Sequence, residues 1–555
     1  MKKISKLGLL LIIISALIGT SIPYVVSRII DGKDKIFYFI DNGILLVILF
    51  LVQAIFSTLA NFRFVELSEK NAFILRNELI NKILKAKLAF LDKLSIGKIP
   101  SHIDNNIKVI QNFYAKSVPN FISAIFTLII SLIFLFSLDL NLTILLIILL
   151  PIIALIIVPI TMLSGRYADL FQKENSLYIE KLSNIFNNVI YIKTLNAEED
   201  IINDLTENNQ KIRVFSTKNN KVDAFVYPFL LLALVAILAI IFMYGGLRVS
   251  QGYISVGVLI AYLLYIFQLL TPVSGISSFF SDKERSEVNY EELKVYLELK
   301  QEEDTNITTV EKIEKITFDN VSFGYDDEAI IEDLNLAIKK GEKIAVVGES
   351  GSGKSTMFKL LMNLYSCKEG NILINDQNIN KLSLKSLRDN IAFIPQENSI
   401  IYSKLGKFLA LSSDEVQPEK IVEIFEALNL KEKFNLETLD LDSVDYGLGG
   451  KNLSTGQKQR ILIAKALISK FSVLLMDEST SAVDSELENK IFNIVDEYCK
   501  DKIMISIAHR LSTVKYVDRV IFFEDGKITG DDTHENLYRS HEKYQRYIDL
   551  QNINN

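Results

Sequence analysis

Residues 348–355 read Gly-Glu-Ser-Gly-Ser-Gly-Lys-Ser, which fits the pattern G-x-x-x-x-G-K-[ST]. The run follows a short apolar stretch at 343–347 and precedes residues 356–362, which have the composition of a helix. In this strand, loop and helix order, glycines let backbone N–H groups turn toward phosphates, and the helix N-terminus adds partial positive charge. The sequence therefore predicts a site for a nucleoside triphosphate, with a chance glycine-rich turn as the weaker alternative.

The residues of this loop are predicted to bind different parts of the nucleotide and its Mg²⁺. Lys354 would reach the β- and γ-phosphates of the nucleotide, and Ser355 would hold Mg²⁺. The other residues predicted to line the site are Gly348, Glu349, Ser350, Gly351, Ser352, Gly353 and Thr356.

A second apolar run, residues 473–476, ends in the two carboxylates Asp477 and Glu478. Its composition predicts a buried parallel strand. Asp477 would support Mg²⁺, and Glu478 would orient or deprotonate the attacking water. An Asp-Glu pair at a strand end is common, but this one follows Leu-Ser-Thr-Gly-Gln at 453–457, which strengthens the catalytic interpretation.

Residues 311–555 resemble the nucleotide-binding domain of ABC transporters, and the whole chain resembles an ABC exporter half-transporter. The resemblance rests on several short motifs in the order that the family has, although each residue alone fits an ordinary structural role. It implies that Tyr325 stacks on adenine, that Gln396 contacts ATP and Mg²⁺, and that His509 acts beside Glu478 near the γ-phosphate. It further implies contacts to ATP bound by a second chain, made by Ser454, Gly456 and Gln457.

The chain departs from the family pattern at three places that face the membrane domain. Thr455 stands where glycine is commonest, residues 397–409 lack a usual segment, and Leu448 replaces an acidic residue. These departures concern coupling between the domains and leave the ATP chemistry intact.

Composition limits the function further. Apolar residues make up 49% of the 555 residues and are concentrated before residue 280. The net charge of −7 gives no indication of nucleic-acid binding. Two cysteines, Cys367 and Cys499, argue against disulfides and fit a reducing cytoplasm, and neither has neighbours that suggest a metal other than Mg²⁺.

The apolar N-terminal half contains candidate membrane spans, since a bilayer of about 30 Å needs about 20 apolar residues per helix. Six spans are predicted, at 7–26, 43–59, 121–138, 142–162, 229–244 and 256–270. The first also resembles a secretory signal, but its apolar run continues to Val26, which favours a span. The stretches 63–116 and 166–221 are rich in Lys and Arg, which predicts that both lie in the cytoplasm with the N-terminus.

These long cytoplasmic loops are predicted to extend as helices whose tips dock on the nucleotide-binding domains. In the family such tips are coupling helices, and residues 95–102 and 180–195 resemble them. Polar residues within the spans either line a cavity or form hydrogen bonds between helices. They are Asn120, Ser131, Tyr262, Tyr265 and Gln268.

We expect an all-α polytopic membrane domain with six transmembrane helices at 1–290, a linker at 291–310, and an α/β P-loop ABC nucleotide-binding domain at 311–555. The resemblance implies ATP-driven export of a peptide, drug-like or other amphipathic substrate by alternating access. Alternatives are a lipid flippase with the same ATPase and an ATP-gated or regulatory membrane protein. The expected partners are a second half-transporter, in a homodimer rather than a heterodimer, membrane lipids and the exported substrate. The expected location is a bacterial cytoplasmic membrane, with the nucleotide-binding domain in the cytoplasm.

Overall fold

The computed structural model describes two compact units. The membrane unit consists of Met1–Asn81 and Gly97–Glu298, and the cassette unit of Lys82–Ile96 and Leu299–Asn555. The predicted linker at 291–310 therefore contains the end of one unit and the beginning of the other. The structure describes residues 5–553 except for 33–35, 95–96, 98, 303, 305–307, 327, 398, 403, 412–417, 431–445, 478–484 and 509–513.

The first 298 residues are almost entirely helical. The helices are α1 (Lys6–Asp31), α2 (Ile36–Leu84), α3 (Leu88–Leu91), α4 (Ile99–Asn112), α5 (Val118–Leu138), α6 (Leu140–Asn187), α7 (Val189–Thr194), α8 (Glu198–Ser250) and α9 (Val256–Leu297). A π-helical turn, Phe113–Ser117, joins α4 to α5. All six predicted spans lie within helices, namely α1, α2, α5, α6, α8 and α9.

The apolar parts of these helices support membrane crossing for four of the six predicted spans. Within the described residues, Lys6–Asp31, Ile40–Leu84, Ile99–Leu138 and Leu231–Ser250 are long and apolar enough to cross a bilayer. Two shorter apolar stretches, Leu140–Leu149 and Val256–Leu269, begin α6 and α9. Several helices continue far beyond a bilayer's thickness, since 53 residues in α8 correspond to about 80 Å at about 1.5 Å per residue.

Three helices of the membrane unit begin at a polar capping residue. Ser5, Asp139 and Ser255 each accept a backbone N–H of the first turn, of α1, α6 and α9 respectively. Such a cap satisfies one of the N–H groups that a helix start leaves unpaired. The sequence thus determines where these helices begin as well as which of their faces are apolar.

Two buried tyrosines join helices across the membrane unit. The Tyr262 hydroxyl lies 2.7 Å from the carbonyl oxygen of Leu135 and 2.6 Å from that of Asp139. The Tyr265 hydroxyl donates to the carbonyl oxygen of Thr20 at 2.7 Å. Both side chains are fully buried. Of the two interpretations of the polar residues in the spans, hydrogen bonding between helices is therefore the right one for these tyrosines.

The other polar residues of the spans differ, and Ser131 fits neither interpretation, because its Oγ has no hydrogen-bond partner within the described residues. Ser131 is fully buried in α5. Asn120 and Gln268 instead line a cavity among α2, α5 and α9. The cavity interpretation therefore holds for these two residues.

A buried ion pair connects two helix ends of the membrane unit. Arg248, near the end of α8, lies 2.7 Å from Asp139, and their side chains are only 15% and 8% exposed. The guanidinium also lies over the Tyr253 ring, 4.9 Å from its centre. Because a charge left alone at such a site would be costly to bury, each residue needs the other.

The cassette unit contains two β-sheets. One has the strand order β2-β1-β4-β5 and the other the order β10-β9-β3-β8-β7-β6. The strands are β1 (Lys315–Tyr325), β2 (Glu328–Lys339), β3 (Lys343–Gly348), β4 (Glu369–Ile374), β5 (Gln377–Asn378), β6 (Ile391–Ile394), β7 (Val473–Asp477), β8 (Ile503–Ile507), β9 (Arg519–Glu524) and β10 (Lys527–Asp532). In the larger sheet all neighbours are parallel except β10, which runs antiparallel to β9.

Helices cover the larger sheet. They are α10 (Lys354–Leu361), α11 (Leu384–Asp389), α12 (Leu405–Leu409), α13 (Pro418–Ala427), α14 (Thr455–Ile468), α15 (Ser485–Tyr498), α16 (His534–Ser540) and α17 (Glu542–Ile553). One face of the sheet packs on α10 and the smaller sheet, and the other on α12 to α15. The expected fold class, a helical membrane domain followed by an α/β domain, is confirmed.

The register of the larger sheet brings the carboxyl ends of four strands, β3, β6, β7 and β8, to one edge. Val346 of β3 and Asp477 of β7 both pair with Ile507 of β8, which lies between them. Ile394 of β6 pairs with Met476 of β7. Since ligands of open parallel sheets bind beyond the carboxyl ends of the strands, this edge is where a site is expected.

Residues 82–96, here named the inserted segment, belong to the cassette unit, and their described part contacts the rest of that unit through the backbone and the short helix α3. Ala86 forms an antiparallel bridge with Gln301. The N–H of Lys87 donates to the carbonyl of Lys300 at 2.9 Å. These contacts lie N-terminal to the predicted docking tip at 95–102, of which residues 95, 96 and 98 lie outside the described residues.

Candidate nucleotide site

The loop between β3 and α10 has a backbone that only glycine adopts readily. Gly348, Gly351 and Gly353 have φ values of 152°, 85° and 103°. A Cβ at Gly348 would lie 2.2 Å from the carbonyl oxygen of Phe523, and one at Gly353 would lie 3.0 Å from that of Ile330. The glycines of the motif are therefore required both by conformation and by close backbone approach.

Lys354 lies at the centre of this loop. Its side chain is buried, and Nζ donates to the carbonyl oxygens of Gly348 at 2.9 Å and Glu349 at 2.6 Å. Nζ also lies 3.4 Å from Oγ of Ser352. The loop thus encloses one positive charge in the concave space where its glycines expose the backbone, which fits the binding of phosphate.

The remaining loop residues differ in exposure. Glu349, Ser350 and Ser355 are exposed, whereas Thr356 is buried. Ser355 lies in the first turn of α10, so its hydroxyl stands at the helix N-terminus. This is the position from which a hydroxyl can hold a cation bridged to phosphates.

Two further predicted residues share the sheet edge with the loop. Asp477 is the last residue of β7 and is buried, and Gln396 follows the end of β6 by two residues and is exposed. A hydroxyl, a carboxylate and an amide oxygen form the kind of oxygen donor set that Mg²⁺ prefers. The residues present at this edge therefore fit a nucleotide with Mg²⁺.

The two residues predicted to be catalytic are Glu478 and His509. Glu478 directly follows β7, and His509 follows β8 by two residues. Both lie outside the described residues, as do residues 481–484, which resemble the family's D-loop. Their roles remain predictions, although the ends of β7 and β8 bring the chain to the right edge of the sheet.

Residues 454–457, from the Leu-Ser-Thr-Gly-Gln motif, form the N-terminus of α14. Ser454 Oγ accepts the N–H of Gln457 at 3.3 Å, and the Ser454 N–H donates to Gln457 Oε1 at 3.0 Å. This reciprocal capping box determines the start of the 14-residue helix. Ser454 and Thr455 are exposed, and Gly456 is partly exposed. The side chains of Ser454 and Gln457 thus hold the helix start, and their predicted contact with ATP is still untested.

Tyr325 ends β1 and is partly buried among aromatic rings. Its ring lies edge-on to those of Phe323 and Tyr365, with centres 5.2 Å and 5.3 Å away. Lys359 Nζ lies 3.2 Å from the Tyr325 hydroxyl and above both tyrosine rings. Lys359 on α10 therefore connects the predicted adenine-stacking residue to the helix that follows the phosphate loop.

The inserted segment contacts this aromatic group through two side chains. Tyr365 donates a hydrogen bond from its hydroxyl to Asp92, and burial together with this bond raises the pKa of Tyr365. Lys93 Nζ lies 2.5 Å from Asp326, and this hydrogen bond lowers the pKa of that carboxyl. The segment is thereby attached to the cassette beside Tyr325.

A cavity of about 840 Å³ lies next to these contacts. Its lining includes Phe90 and Lys93 of the inserted segment together with Tyr325 and Tyr365. The ring predicted to stack on adenine thus borders a space that is partly walled by the loop between α2 and α4.

Sequence reasoning missed Asp92, Lys93, Lys359 and Tyr365. Asp92 and Tyr365 are far apart in the chain, and no local pattern marks either as a partner of the other. Lys359 had a weak signal, because it lies on the helix that the phosphate loop opens. It lies in the last turn of that helix, so its position alone did not mark it as part of the nucleotide site.

Comparisons with known proteins agree with this architecture. The family profile of the ABC transporter transmembrane region matches residues 6–273, and that of the ABC transporter domain matches residues 331–481. A multidrug resistance ABC transporter ATP-binding and permease protein of Lactococcus lactis is 26% identical over 548 residues, which cover 97% of this chain and 92% of that protein. An ATP-dependent lipid A-core flippase of Syntrophus aciditrophicus is 27% identical over 481 residues, 86% of this chain and 80% of that protein.

The fold also matches a solved structure. A bacterial Atm1-family ABC exporter with ATP bound superposes with a TM-score of 0.81 at 22% identity, covering 98% of this chain and 97% of that one. The likeness extends over both units, and the two family profiles lie on them in the same order. The chain therefore belongs to the ABC transporter family, with the transmembrane region and the ATP-hydrolysing domain fused in one polypeptide.

Proposed function

We propose that this chain is one half of an exporter that uses ATP to move a peptide, drug-like or other amphipathic substrate out of a bacterial cytoplasm. Export is supported by the fusion of a transmembrane region to an ATP-hydrolysing unit and by relatives named for multidrug resistance. One relative is named as a lipid A-core flippase, so lipid flipping by the same ATPase is the second candidate.

One observation carries the coupling of ATP to transport. The inserted segment is continuous with α2, and its Phe90 borders the same cavity as Tyr325. A nucleotide base stacked on Tyr325 would therefore contact the inserted segment, which directly follows the membrane helix α2 in the chain. A bound nucleotide would therefore contact the segment that begins where α2 ends, which couples nucleotide binding to that helix.

The residues of the sheet edge would then act in distinct roles. Lys354 neutralises phosphate charge in the ground and transition states, and Ser355, Gln396 and Asp477 provide the oxygen atoms that fit Mg²⁺. When bound, Mg²⁺ would neutralise charge on the β- and γ-phosphates. Glu478 orients or deprotonates water, and His509 stabilises the γ-phosphate region.

Two copies of the chain would form the complete transporter. Ser454 and Gly456 stand at an exposed helix start, where they can contact a nucleotide held by a partner. The tip of α7 exposes apolar side chains, with Ile190 79% exposed. The cassette exposes Ile401 and Leu448 at 68% and 73%. We propose that this tip docks on those residues of the partner copy, in a homodimer within the cytoplasmic membrane.

The ATPase assignment is tested with the full chain in lipid nanodiscs. Glu478→Gln should nearly abolish Mg²⁺-dependent hydrolysis while ATP binding survives, because the carboxylate acts mainly in the transition state. Glu497→Gln is the matched control, since Glu497 is an exposed residue of α15. Hydrolysis by Glu478→Gln at the wild-type rate would refute the assignment.

The homodimer is tested by mixing two inactive chains. One carries Glu478→Gln and the other Ser454→Arg. In a head-to-tail mixed dimer one site contains both lesions and the other none, so some hydrolysis should return. A wild-type chain that stays monomeric and inactive until a different half-transporter is added would contradict the homodimer.

A further inference from the structure

Tyr325 lies at the tip of a hairpin whose backbone is tightly fixed. β1 and β2 pair side by side, with Tyr325 opposite Glu328. A Cβ at Gly324 would lie 1.9 Å from the carbonyl oxygen of Glu328, so the strands approach there as closely as only glycine allows. The hairpin therefore determines where the Tyr325 backbone lies, and the direction of the ring depends on the contacts of the side chain.

Two neighbouring rings restrict the ring of Tyr325. Phe323 and Tyr365 stand nearly perpendicular to it, at 86° and 85°. These edge-on contacts provide no hydrogen bond for the Tyr325 hydroxyl. Phe323 has no polar side-chain atom, and the Tyr365 hydroxyl already donates to Asp92. The polar end of the Tyr325 ring is thus left to another partner.

Lys359 is that partner. Its Nζ donates to the Tyr325 hydroxyl oxygen at 3.2 Å, and this is the one hydrogen bond or ion pair of the ammonium within the described part of the chain. A lysine in the last turn of a helix also gains from the helix dipole, which accounts for a cation at this position. The dipole does not require the side chain to reach a tyrosine, however, so the hydrogen bond needs a separate explanation.

This hydrogen bond joins the two parts of the predicted nucleotide site. α10 begins at Lys354, directly after the phosphate loop, and Lys359 lies five residues further along the same helix. The bond therefore connects the residue proposed to stack on the base to the helix whose start is proposed to hold the phosphates. One side chain thus fixes the spacing between the base and phosphate positions.

ATP contacts both positions at once, so its binding depends on their spacing. Once the triphosphate is bound, the base binds in an intramolecular step, whose gain depends on a stacking ring that is held in place. A ring that already has its bound orientation also loses no rotational freedom on binding. A ligand that consists of the triphosphate alone gains nothing from either effect.

We propose that Lys359 is a positioning residue for ATP, because its hydrogen bond holds the Tyr325 ring where the base of a nucleotide bound at the phosphate loop can stack on it. The proposal rests on the stacking of adenine on Tyr325 proposed above and adds a residue to it. Lys359 should therefore matter for ligands that have a base, and not for a triphosphate without one.

Binding is measured with the full chain in nanodiscs and without Mg²⁺, so that ATP binds but is not hydrolysed. The probes are radiolabelled ATP, followed by equilibrium dialysis, and inorganic tripolyphosphate, which competes with it. Lys359→Met removes the ammonium and keeps a long side chain, and Tyr325→Phe removes only the acceptor. Each should weaken ATP binding about tenfold, which corresponds to about 1.4 kcal/mol, and change tripolyphosphate binding by less than about twofold.

The double variant tests whether the two side chains act together. Lys359→Met combined with Tyr325→Phe should bind ATP as weakly as either single variant, because each removes the same hydrogen bond. Lys340→Met and Tyr498→Phe are the matched controls and should leave both affinities unchanged. Lys340 is exposed near the start of β3, at the far end from the phosphate loop, and Tyr498 bonds Glu423 elsewhere in the cassette.

Steady-state hydrolysis with Mg²⁺ distinguishes positioning from catalysis. Lys359→Met should raise KM for ATP about tenfold and leave kcat within about twofold, because contacts to the base are the same in the ground and transition states. A fall in kcat with an unchanged KM would contradict the positioning role.

Other results would overturn the proposal as well. They are unchanged ATP binding in Lys359→Met, additive losses in the double variant, and equal losses of ATP and tripolyphosphate in both single variants. Tyr325→Ala separates the role of Lys359 from the proposed stacking. If Tyr325→Ala weakens ATP binding and Lys359→Met does not, the stacking stands and the role of Lys359 is refuted. If Tyr325→Ala binds ATP like the wild type, the stacking itself is refuted.

Discussion

Replacing Tyr365 by Phe should release the inserted segment from the cassette. The hydroxyl of this buried tyrosine donates to the Asp92 carboxylate, and hydrogen bonds to charged groups contribute about 1.5–3 kcal/mol. By contrast, the side chains of Lys93 and Asp326 are 63% and 74% exposed, so solvent screens their attraction and this pair contributes less than the hydrogen bond. The tyrosine hydrogen bond is therefore the stronger of these two polar contacts, although the ion pair is the more visible one.

The prediction is measured by hydrogen exchange of backbone amides in residues 86–94, with the full chain in nanodiscs. Tyr365→Phe should speed exchange there by about tenfold to a hundredfold, and Lys93→Ala by no more than about fivefold. Tyr498→Phe is the matched control, because it loses a hydrogen bond to Glu423 elsewhere in the cassette. Unchanged exchange in Tyr365→Phe, or a larger effect of Lys93→Ala, would refute this ranking.

Three further predictions concern the rest of the chain. Tyr262→Phe removes a buried donor between helices and should lower the unfolding free energy by about 1 kcal/mol, seen as a melting temperature a few degrees lower; an unchanged melting temperature would contradict it. A maleimide should label Cys367 in the folded protein but Cys499 only after denaturation, because burial raises the pKa of Cys499 to about 12. Two labels on the native chain would be the contrary result. Single cysteines at Ser250 and Asn184, both exposed, should react from outside intact cells only at Ser250, and external labelling at Asn184 would overturn the topology.

Sequence alone was sufficient where short-range chemistry decides the structure. The glycines of the phosphate loop, the apolar run that ends at Asp477 and the six apolar spans each follow from composition and spacing within a few residues. The family resemblance then placed Tyr325, Gln396 and Ser454 in one order along the chain. These predictions needed no knowledge of which distant segments meet.

Sequence was insufficient where distant segments meet. The antiparallel bridge between Ala86 and Gln301 joins residues more than two hundred positions apart, and no periodicity marks either one. The docking predicted at 95–102 stays a prediction, because residues 95, 96 and 98 lie outside the described part of the chain, whereas the contacts of residues 86 and 87 had no sequence signal. Tyr262 illustrates the same limit, because a polar residue in a span has the same pattern whether it faces a cavity or a neighbouring helix.

The inserted segment also has a consequence for the order in which the protein is made. Its anchor, Tyr365, follows Asp92 by about 270 residues, which take about 14–55 s to synthesise at about 5–20 residues per second. During that time the remaining membrane helices, up to the end of α9 at Leu297, are synthesised, while Phe90 and its neighbours have no folded cassette to pack on. A ribosome that stalls before Tyr365 therefore leaves a chain with an exposed aromatic segment that only the missing part can cover. The inserted segment can thus reach its final contacts only after Tyr365, which is synthesised much later, has been added to the chain.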